Sequence, residues 1–137
     1  MTSFIALVED NADDEALTLR ALKSRGVANE IVVLRDGVEA LAFLLDPEQP
    51  LPHLVLLDLN LPRLNGLEVL QRLRREPRTK LLPVVILTSS NEERDLIEGY
   101  RLGANSYVRK PVDFLQFSEA VHQLGLYWLV LNQRPPV

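Results

Sequence analysis

The sequence has no cysteine and only two histidines, His53 and His122. The absence of cysteine excludes disulfides, thiolate metal sites and a cysteine nucleophile. Two histidines are too few for a histidine-rich zinc site. Lys and Arg number 15 against 19 Asp and Glu, a net charge of −4, and no basic block occurs. We therefore expect no direct DNA binding, because affinity for a phosphate backbone depends on clustered positive charge.

The sequence also has no long hydrophobic run. A membrane-spanning helix needs roughly 18 apolar residues, and no segment approaches that length. Residues 1–10 have no basic region before their five apolar residues, which argues against a signal peptide. We expect a cytoplasmic protein without membrane association. The 137 residues, 47% hydrophobic, suit one domain with its own core.

Short apolar runs alternate with segments of helical periodicity. Runs without polar alternation are typical of a parallel sheet covered on both faces. A fifth, weaker run, Tyr107-Val108, follows the polar residues Asn105 and Ser106 and indicates an edge strand. The spacing predicts helices over 13–25 and 38–45, and a third that begins after Asn65-Gly66 and ends before Pro77. It also predicts a helix from a capping box at 90–93 to Gly103 and one from near Asp113 toward Leu131. The four clear apolar runs are 4–8, 31–34, 54–57 and 84–87.

The order of these elements is (βα)5, an α/β class. Right-handed crossovers favour a doubly wound, five-stranded parallel sheet of order 2-1-3-4-5. We assign residues 1–125 to this domain and 126–137 to an apolar extension and tail of the same domain. In such sheets ligands bind beyond the carboxyl ends of the strands.

Reactive side chains follow four of the predicted strands. Carboxylates this close together repel one another unless a cation joins them, and hard oxygen ligands suit Mg²⁺. An aspartate can carry an acyl phosphate, and Mg²⁺, a lysine and a hydroxyl neutralise charge on a transferring phosphoryl group. Taken singly, each residue has an ordinary structural role, so only their common position favours a phosphoryl site. They are Glu9 and Asp10, Asp58, Thr88 and Ser89, and Lys110.

Four motifs resemble those of bacterial response-regulator receiver domains. The resemblance spans residues 4 to about 125. It implies that Asp58 accepts phosphate from a histidine kinase, and that Lys110, Thr88 and Ser89 bind the phosphoryl group. It also implies one Mg²⁺ held by Glu9, Asp10, Asp58 and the backbone carbonyl of Asn60. The motifs are Val8-Glu9-Asp10-Asn11, 57–62 with Asn65-Gly66, Leu87-Thr88-Ser89 and Lys110-Pro111.

The resemblance implies further roles. Thr88 and an exposed Tyr107 form a switch that reshapes the face of the fourth helix, fifth strand and fifth helix. Asn60 and Ser90 flank the path of the water that hydrolyses the phosphate, and the bond before Pro111 is cis. Ser89 departs from the alanine that many receivers carry. The segment 58–63 and the apolar extension resemble the corresponding parts of small regulators paired with bacterial phytochrome kinases.

Two other functions fit parts of the pattern. Haloacid-dehalogenase-type phosphohydrolases also place an aspartate nucleophile after a strand. In those enzymes a second acid, two residues after the nucleophile, donates a proton to the leaving group. The corresponding residue here is Asn60, whose amide cannot serve as an acid. A receiver-like scaffold that never takes phosphate usually lacks part of the acid pocket, and this pocket is complete. We expect a phosphoacceptor that assists its own phosphorylation and dephosphorylation rather than an enzyme, with no output domain after it.

The C-terminal segment has a heptad-like spacing of apolar residues. After Gly125 the chain is apolar on every side, which an isolated surface helix does not tolerate. We expect a homodimer through this segment, with docking onto the kinase as the alternative. A break at Gly125 would instead give a strand or an exchanged arm. The predicted interface comprises Phe117, Val121, Leu124, Tyr127, Trp128 and Leu131.

Overall fold

Five parallel strands form one sheet in the computed structural model, which describes residues 4–24, 26–27, 29–89, 92–110 and 114–133. The strand order β2-β1-β3-β4-β5 confirms the predicted 2-1-3-4-5 topology. Strand β5 pairs only with β4 among the described residues, as expected for an edge strand. The strands are β1 (Phe4–Val8), β2 (Glu30–Leu34), β3 (Leu54–Leu57), β4 (Val84–Thr88) and β5 (Ser106–Arg109).

Helices connect the strands, and side-chain caps define three of their starts, those that follow Asn11, Asp36 and Asn65. The Asp36 side chain accepts the Glu39 N–H at 2.7 Å, and the Asn65 side chain accepts the Glu68 N–H at 3.0 Å. The fourth helix begins at Glu93, later than the capping box predicts, with Glu92 as its N-cap and no side-chain cap hydrogen bond; Ser90 and Asn91 of that box lie outside the described residues. The helices are α1 (Ala12–Ser24), α2 (Gly37–Leu44), α3 (Gly66–Arg75), α4 (Glu93–Arg101), α5 (Phe114–Gly125) and a C-terminal π-helix (Leu126–Leu131).

Both faces of the sheet are buried, which explains why the strands lack polar alternation. One face packs against α2 and α3 through residues such as Leu44, Leu70 and Leu73. The other face, which includes Leu54 and Val85, lies under α1, α5 and the π-helix. None of the helices in the described part of the chain has the length and apolar character needed to cross a bilayer.

The C-terminal helix does not continue as the predicted heptad helix. After Gly125 it widens into a π-helix, in which the Asn132 N–H bonds the Tyr127 carbonyl at 2.6 Å. This wider turn brings two consecutive side chains, Trp128 and Leu129, onto the sheet. A heptad stripe on an α-helix does not place neighbouring residues on the same face.

This packing corrects part of the predicted dimer interface. Val121 is 1% exposed and belongs to the core of its own chain. Leu124 and Trp128 are half-buried against the sheet, whereas Tyr127 is 50% exposed. The side chains of Phe117 and Leu131 lie outside the described part of the structure.

Candidate functional site

Backbone hydrogen bonds hold the predicted site residues at one edge of the sheet. The Asp58 N–H bonds the Val8 carbonyl at 3.1 Å, so Asp58 extends the pairing of β1 with β3. The Lys110 N–H bonds the Thr88 carbonyl at 2.8 Å, and the Glu9 N–H bonds β2 at 2.9 Å. Because the strands are parallel, their carboxyl ends bring these three side chains together, as the sequence predicted.

The Asn65-Gly66 motif presses the start of α3 against the residue after β3. A Cβ at Gly66 would lie 2.2 Å from the Asp58 carbonyl oxygen and 2.7 Å from the Leu59 Cα, so only glycine fits. The Gly66 N–H bonds the Leu59 carbonyl at 3.0 Å, and the Asn60 N–H bonds the Asp58 Oδ1 at 3.2 Å. The turn therefore fixes the backbone that carries the Asp58 carboxylate.

Three carboxylates form an acidic cluster at this edge. Oxygens of Glu9, Asp10 and Asp58 all lie within 4.8 Å of one another. Glu9 and Asp58 are buried, whereas Asp10 is exposed at the mouth of the cluster. Buried oxygen ligands with one open side suit a hard divalent ion that keeps part of its water shell. Asn60, predicted to add its backbone carbonyl, lies exposed on the loop after Asp58.

Lys110 places one buried ammonium among three carboxylates. Its Nζ lies 2.5 Å from Glu9 Oε1, 2.9 Å from Asp14 Oδ2 and 3.3 Å from Asp58 Oδ2. The Lys110 side chain is only 7% exposed. Sequence reasoning missed Asp14, although its place in the first turn of the helix after β1 was a signal that it reaches this edge.

Burial and the neighbouring Asp58 carboxylate oppose ionisation of Glu9. Burial, followed by the hydrogen bond with Asp58, raises the pKa of Glu9 to about 7 against the lowering effect of Lys110. Burial also opposes ionisation of Asp58, but the bond from Glu9, the Lys110 charge and the Thr88 hydroxyl lower the pKa of that carboxyl below its usual value. The pKa shifts of Glu9 and Asp58 thus point in opposite directions, so Asp58 is the more readily ionised member of the pair.

The pKa of Lys110 is shifted in the direction that keeps it charged. Burial of the ammonium acts against its charge and tends to lower the pKa. The hydrogen bond to Glu9 and the negative charge of Asp58 outweigh burial, and the pKa of Lys110 is raised. The site therefore holds a permanent cation beside an ionised Asp58.

The hydroxyl side chains after β4 occupy different positions. Thr88 is fully buried and its hydroxyl donates to the Asp58 carboxylate. Ser89 is exposed at the rim. Thr88 is thus already placed at the carboxylate that the sequence predicted to carry the phosphoryl group.

The switch aromatic Tyr107 does not lie where the sequence predicted. Its ring packs inward against the core, and its hydroxyl oxygen is buried, so the prediction of an exposed Tyr107 is wrong for this structure. The ring fits because α4 carries Gly99 at the contact. A Cβ at Gly99 would lie 3.3 Å from the Tyr107 Cδ2 and 2.8 Å from the Ile86 Cδ1.

Two predicted site residues lie outside the described residues. Pro111, with its predicted cis bond, and Ser90, with its predicted effect on dephosphorylation, therefore stay predictions. The structure brings together Glu9, Asp10, Asp58, Thr88 and Lys110, and it adds Asp14.

Comparison with known proteins gives one consistent family. The model of the response regulator receiver domain matches residues 5–122. Response regulator Rcp1 of Synechocystis sp. is 40% identical over 129 residues, which cover 91% of this chain and 88% of Rcp1. The probable methanogenesis regulatory protein FilR2 of Methanothrix harundinacea is 41% identical over 134 residues, which cover 96% of this chain and 86% of FilR2.

Solved structures agree over almost the full chain. The phosphorylated cyanobacterial phytochrome response regulator RcpA superposes with a TM-score of 0.92 at 38% identity, covering 99% of this chain and 100% of that chain. The Mn²⁺-bound form of Rcp1 has a TM-score of 0.90 at 38% identity and covers 98% of this chain and 99% of that chain. A close relative thus binds a divalent ion, in agreement with the acidic cluster found here.

Proposed function

This chain belongs to the response regulator receiver domain family, and we propose that its Asp58 carboxylate accepts a phosphoryl group from a histidine kinase. The observation that carries this proposal is the environment of Asp58. Its carboxylate accepts the Thr88 hydroxyl, lies 3.3 Å from the Lys110 ammonium and belongs to the acidic cluster. An ionised, buried aspartate facing fixed donors is suited to act as a nucleophile toward phosphorus.

The transfer itself is a single displacement. A carboxylate oxygen of Asp58 attacks phosphorus as the bond from phosphorus to the kinase imidazole nitrogen breaks, and the electron pair stays on that nitrogen. The Lys110 ammonium and the Thr88 hydroxyl stabilise negative charge on the transferred oxygens. Loss of the phosphate is hydrolysis of the acyl phosphate by water near Asn60. The chain thus assists its own phosphorylation and dephosphorylation without converting a separate substrate.

We assign the divalent ion of this site as Mg²⁺, held by Glu9, Asp10, Asp58 and the Asn60 carbonyl. The carboxylate oxygens within 4.8 Å of one another fit a hard cation. When bound, Mg²⁺ supplies positive charge against the oxygens of the phosphoryl group. The proton on Glu9 has to leave before that carboxylate becomes a ligand, so the affinity for the ion should rise with pH near 7.

The kinase partner that we propose is a bacterial phytochrome, acting in the cytoplasm where the kinase draws on ATP. Similarity to RcpA supports this assignment. FilR2, with nearly the same identity as Rcp1, is described as a methanogenesis regulator, so the kinase has to be tested directly. Phosphotransfer from a purified phytochrome-type kinase should be faster than from an unrelated histidine kinase. Equal rates would contradict the assignment.

We also propose a homodimer through the C-terminal segment. A groove of about 420 Å³ runs between β5, α5 and the π-helix, and Tyr127 stands exposed at its edge. Light scattering should give a dimer at micromolar concentration, and Tyr127→Glu should weaken it because a buried charge is costly at an apolar interface. A monomer of the unaltered chain would contradict the dimer and favour docking onto the kinase.

The test of Asp58 is labelling with acetyl phosphate, followed by intact mass. The unaltered chain should gain one phosphoryl group in Mg²⁺ and none in EDTA. Asp58→Asn should stay folded by circular dichroism and should not be labelled, because the amide is a poor nucleophile. A labelled, folded Asp58→Asn would refute the assignment. No labelling of the unaltered chain would favour the phosphorylation-independent scaffold instead.

A further inference from the structure

Asp14 is a fourth carboxylate beside the acidic cluster, contributed by α1. Its Oδ2 lies 2.9 Å from the Lys110 Nζ, and its side chain is 37% exposed. From this geometry we infer that Asp14 is a positioning residue, which holds the Lys110 ammonium next to Asp58 for phosphoryl transfer. The inference rests on the proposed function of Asp58 and deepens it.

The local structure of α1 fixes Asp14 in this position. The Asn11 side chain accepts the Asp14 N–H at 2.9 Å and so caps the first turn. The Thr18 hydroxyl donates to the Asp14 carbonyl at 2.8 Å one turn further along. An acidic residue in the first turn is also favoured by the helix dipole. The backbone of Asp14 is therefore held on both sides, and its carboxylate is presented to Lys110 from a rigid element.

Lys110 needs such a partner because its two other acceptors have competing roles. A lysine ammonium has three N–H donors, and Lys110 directs them to Glu9, Asp14 and Asp58. Glu9 and Asp58 belong to the acidic cluster that is suited to a divalent ion, and Asp14 does not. Asp14 is thus the acceptor that stays with Lys110 when the other two carboxylates turn to the ion and the phosphoryl group.

The energetic reason is the flexibility of lysine. Its side chain is among those that lose the most rotamer entropy when they are fixed in one position. A bond to Asp14 restricts that freedom before the reaction, so the ammonium is already oriented when charge develops on the phosphoryl oxygens. Asp14 does not draw Lys110 out of reach, because Nζ lies 3.3 Å from Asp58 Oδ2 while the bond to Asp14 is made.

The test compares Asp14→Asn with Asp13→Asn in acetyl phosphate labelling. Asp13 is the neighbouring, exposed acid on α1, so its variant removes the same charge from the same helix turn. We expect Asp14→Asn to lower the maximal labelling rate about tenfold, since small misplacements of a catalytic group cost one to two orders of magnitude. Asp13→Asn should stay within about twofold, and Asp14→Glu should recover most of the rate. A rate for Asp14→Asn equal to or above that of the unaltered chain would overturn the inference.

Two further measurements separate positioning from a general structural effect. In a Lys110→Met background, Asp14→Asn should cause no further loss of labelling rate, because Asp14 acts through Lys110. An equal loss of rate in both backgrounds would overturn the inference.

The second measurement is NMR of the Lys110 ammonium. Its ¹⁵N–¹H signal should be protected from exchange in the unaltered chain and should lose that protection in Asp14→Asn. This signal needs no phosphorylation, and its persistence in the variant would contradict the role of Asp14. If acetyl phosphate does not label the unaltered chain, but Asp14→Asn still removes the protection of the Lys110 signal, then the proposed function has failed and the bond between Asp14 and Lys110 stands.

Discussion

The buried carboxyl of Glu9 allows a quantitative prediction of how stability depends on pH. Its pKa is raised from 4.5 to about 7 because the side chain is buried beside Asp58. The folded protein therefore binds this proton more tightly than the unfolded chain does. The resulting stability is fully present below about pH 4.5 and is lost as the pH rises through about 7. At 1.36 kcal/mol per pKa unit, the loss is about 3 kcal/mol.

Glu9→Gln removes this titration while keeping the shape of the side chain. The free energy of unfolding of the unaltered chain should fall relative to that of Glu9→Gln, by up to about 3 kcal/mol between about pH 5 and pH 8.5. The shifts of Asp58 and Lys110 act outside this window. The pKa of Asp58 is lowered, so its contribution is lost only at acidic pH, and that of Lys110 is raised, so its contribution is lost only at alkaline pH.

The assay is urea denaturation in EDTA at several pH values, with the exposed Glu48→Gln as the control. The control should change stability by less than about 0.5 kcal/mol at every pH, as surface substitutions usually do. Adding a divalent ion at about 100 times its dissociation constant should stabilise the unaltered chain by about 2.7 kcal/mol and Glu9→Gln by less. A stability difference between the unaltered chain and Glu9→Gln that stays constant over the pH range would refute the reasoning.

Three further substitutions test how the structure supports the site. Gly66→Ala should cost more than about 3 kcal/mol in thermal or urea unfolding, because its Cβ would overlap the Asp58 carbonyl at 2.2 Å; a cost below 1 kcal/mol would contradict this overlap. Arg63→Gly should be neutral or stabilising by up to about 1 kcal/mol, since it relieves a φ of 68° and loses only an exposed ion pair with Asp36; clear destabilisation would show that the pair dominates. Arg74→Gln should destabilise by at least about 2 kcal/mol, because the guanidinium donates five hydrogen bonds that tie two loops together, and an unchanged urea midpoint would count against this role.

Part of the site was predictable because strand ends are local features. Each apolar run ends at a polar residue, and parallel strands bring those residues to one edge whatever the details of packing. Glu9, Asp58, Thr88 and Lys110 are adjacent for this reason. The Asn65-Gly66 turn was visible as a motif, but its role in holding the Asp58 backbone emerged only from the 2.2 Å approach.

Other features depend on side chains that meet across distant parts of the chain. The position of Asp14 in the first turn of α1 indicates that it lies near this edge, but no spacing rule pairs it with Lys110, 96 residues away along the chain. Tyr107 turns inward because Gly99, on a different element, leaves room for its ring. By contrast, the hydrophobic pattern and the residues at the strand ends were enough to predict the order of elements and the location of the acidic edge.

Tertiary structure decided the rest, because the outcome depends on burial, charge balance and volume. The raised pKa of Glu9 follows from burial and from the neighbouring Asp58 carboxylate, which together outweigh the effect of the Lys110 ammonium. The C-terminal π-helix forms where Trp128 and Leu129 both find apolar surface on the sheet, which a heptad pattern in the sequence does not reveal. A sequence states which groups are present along the chain, whereas the energy of a buried charge or an apolar side chain depends on the neighbours that folding supplies.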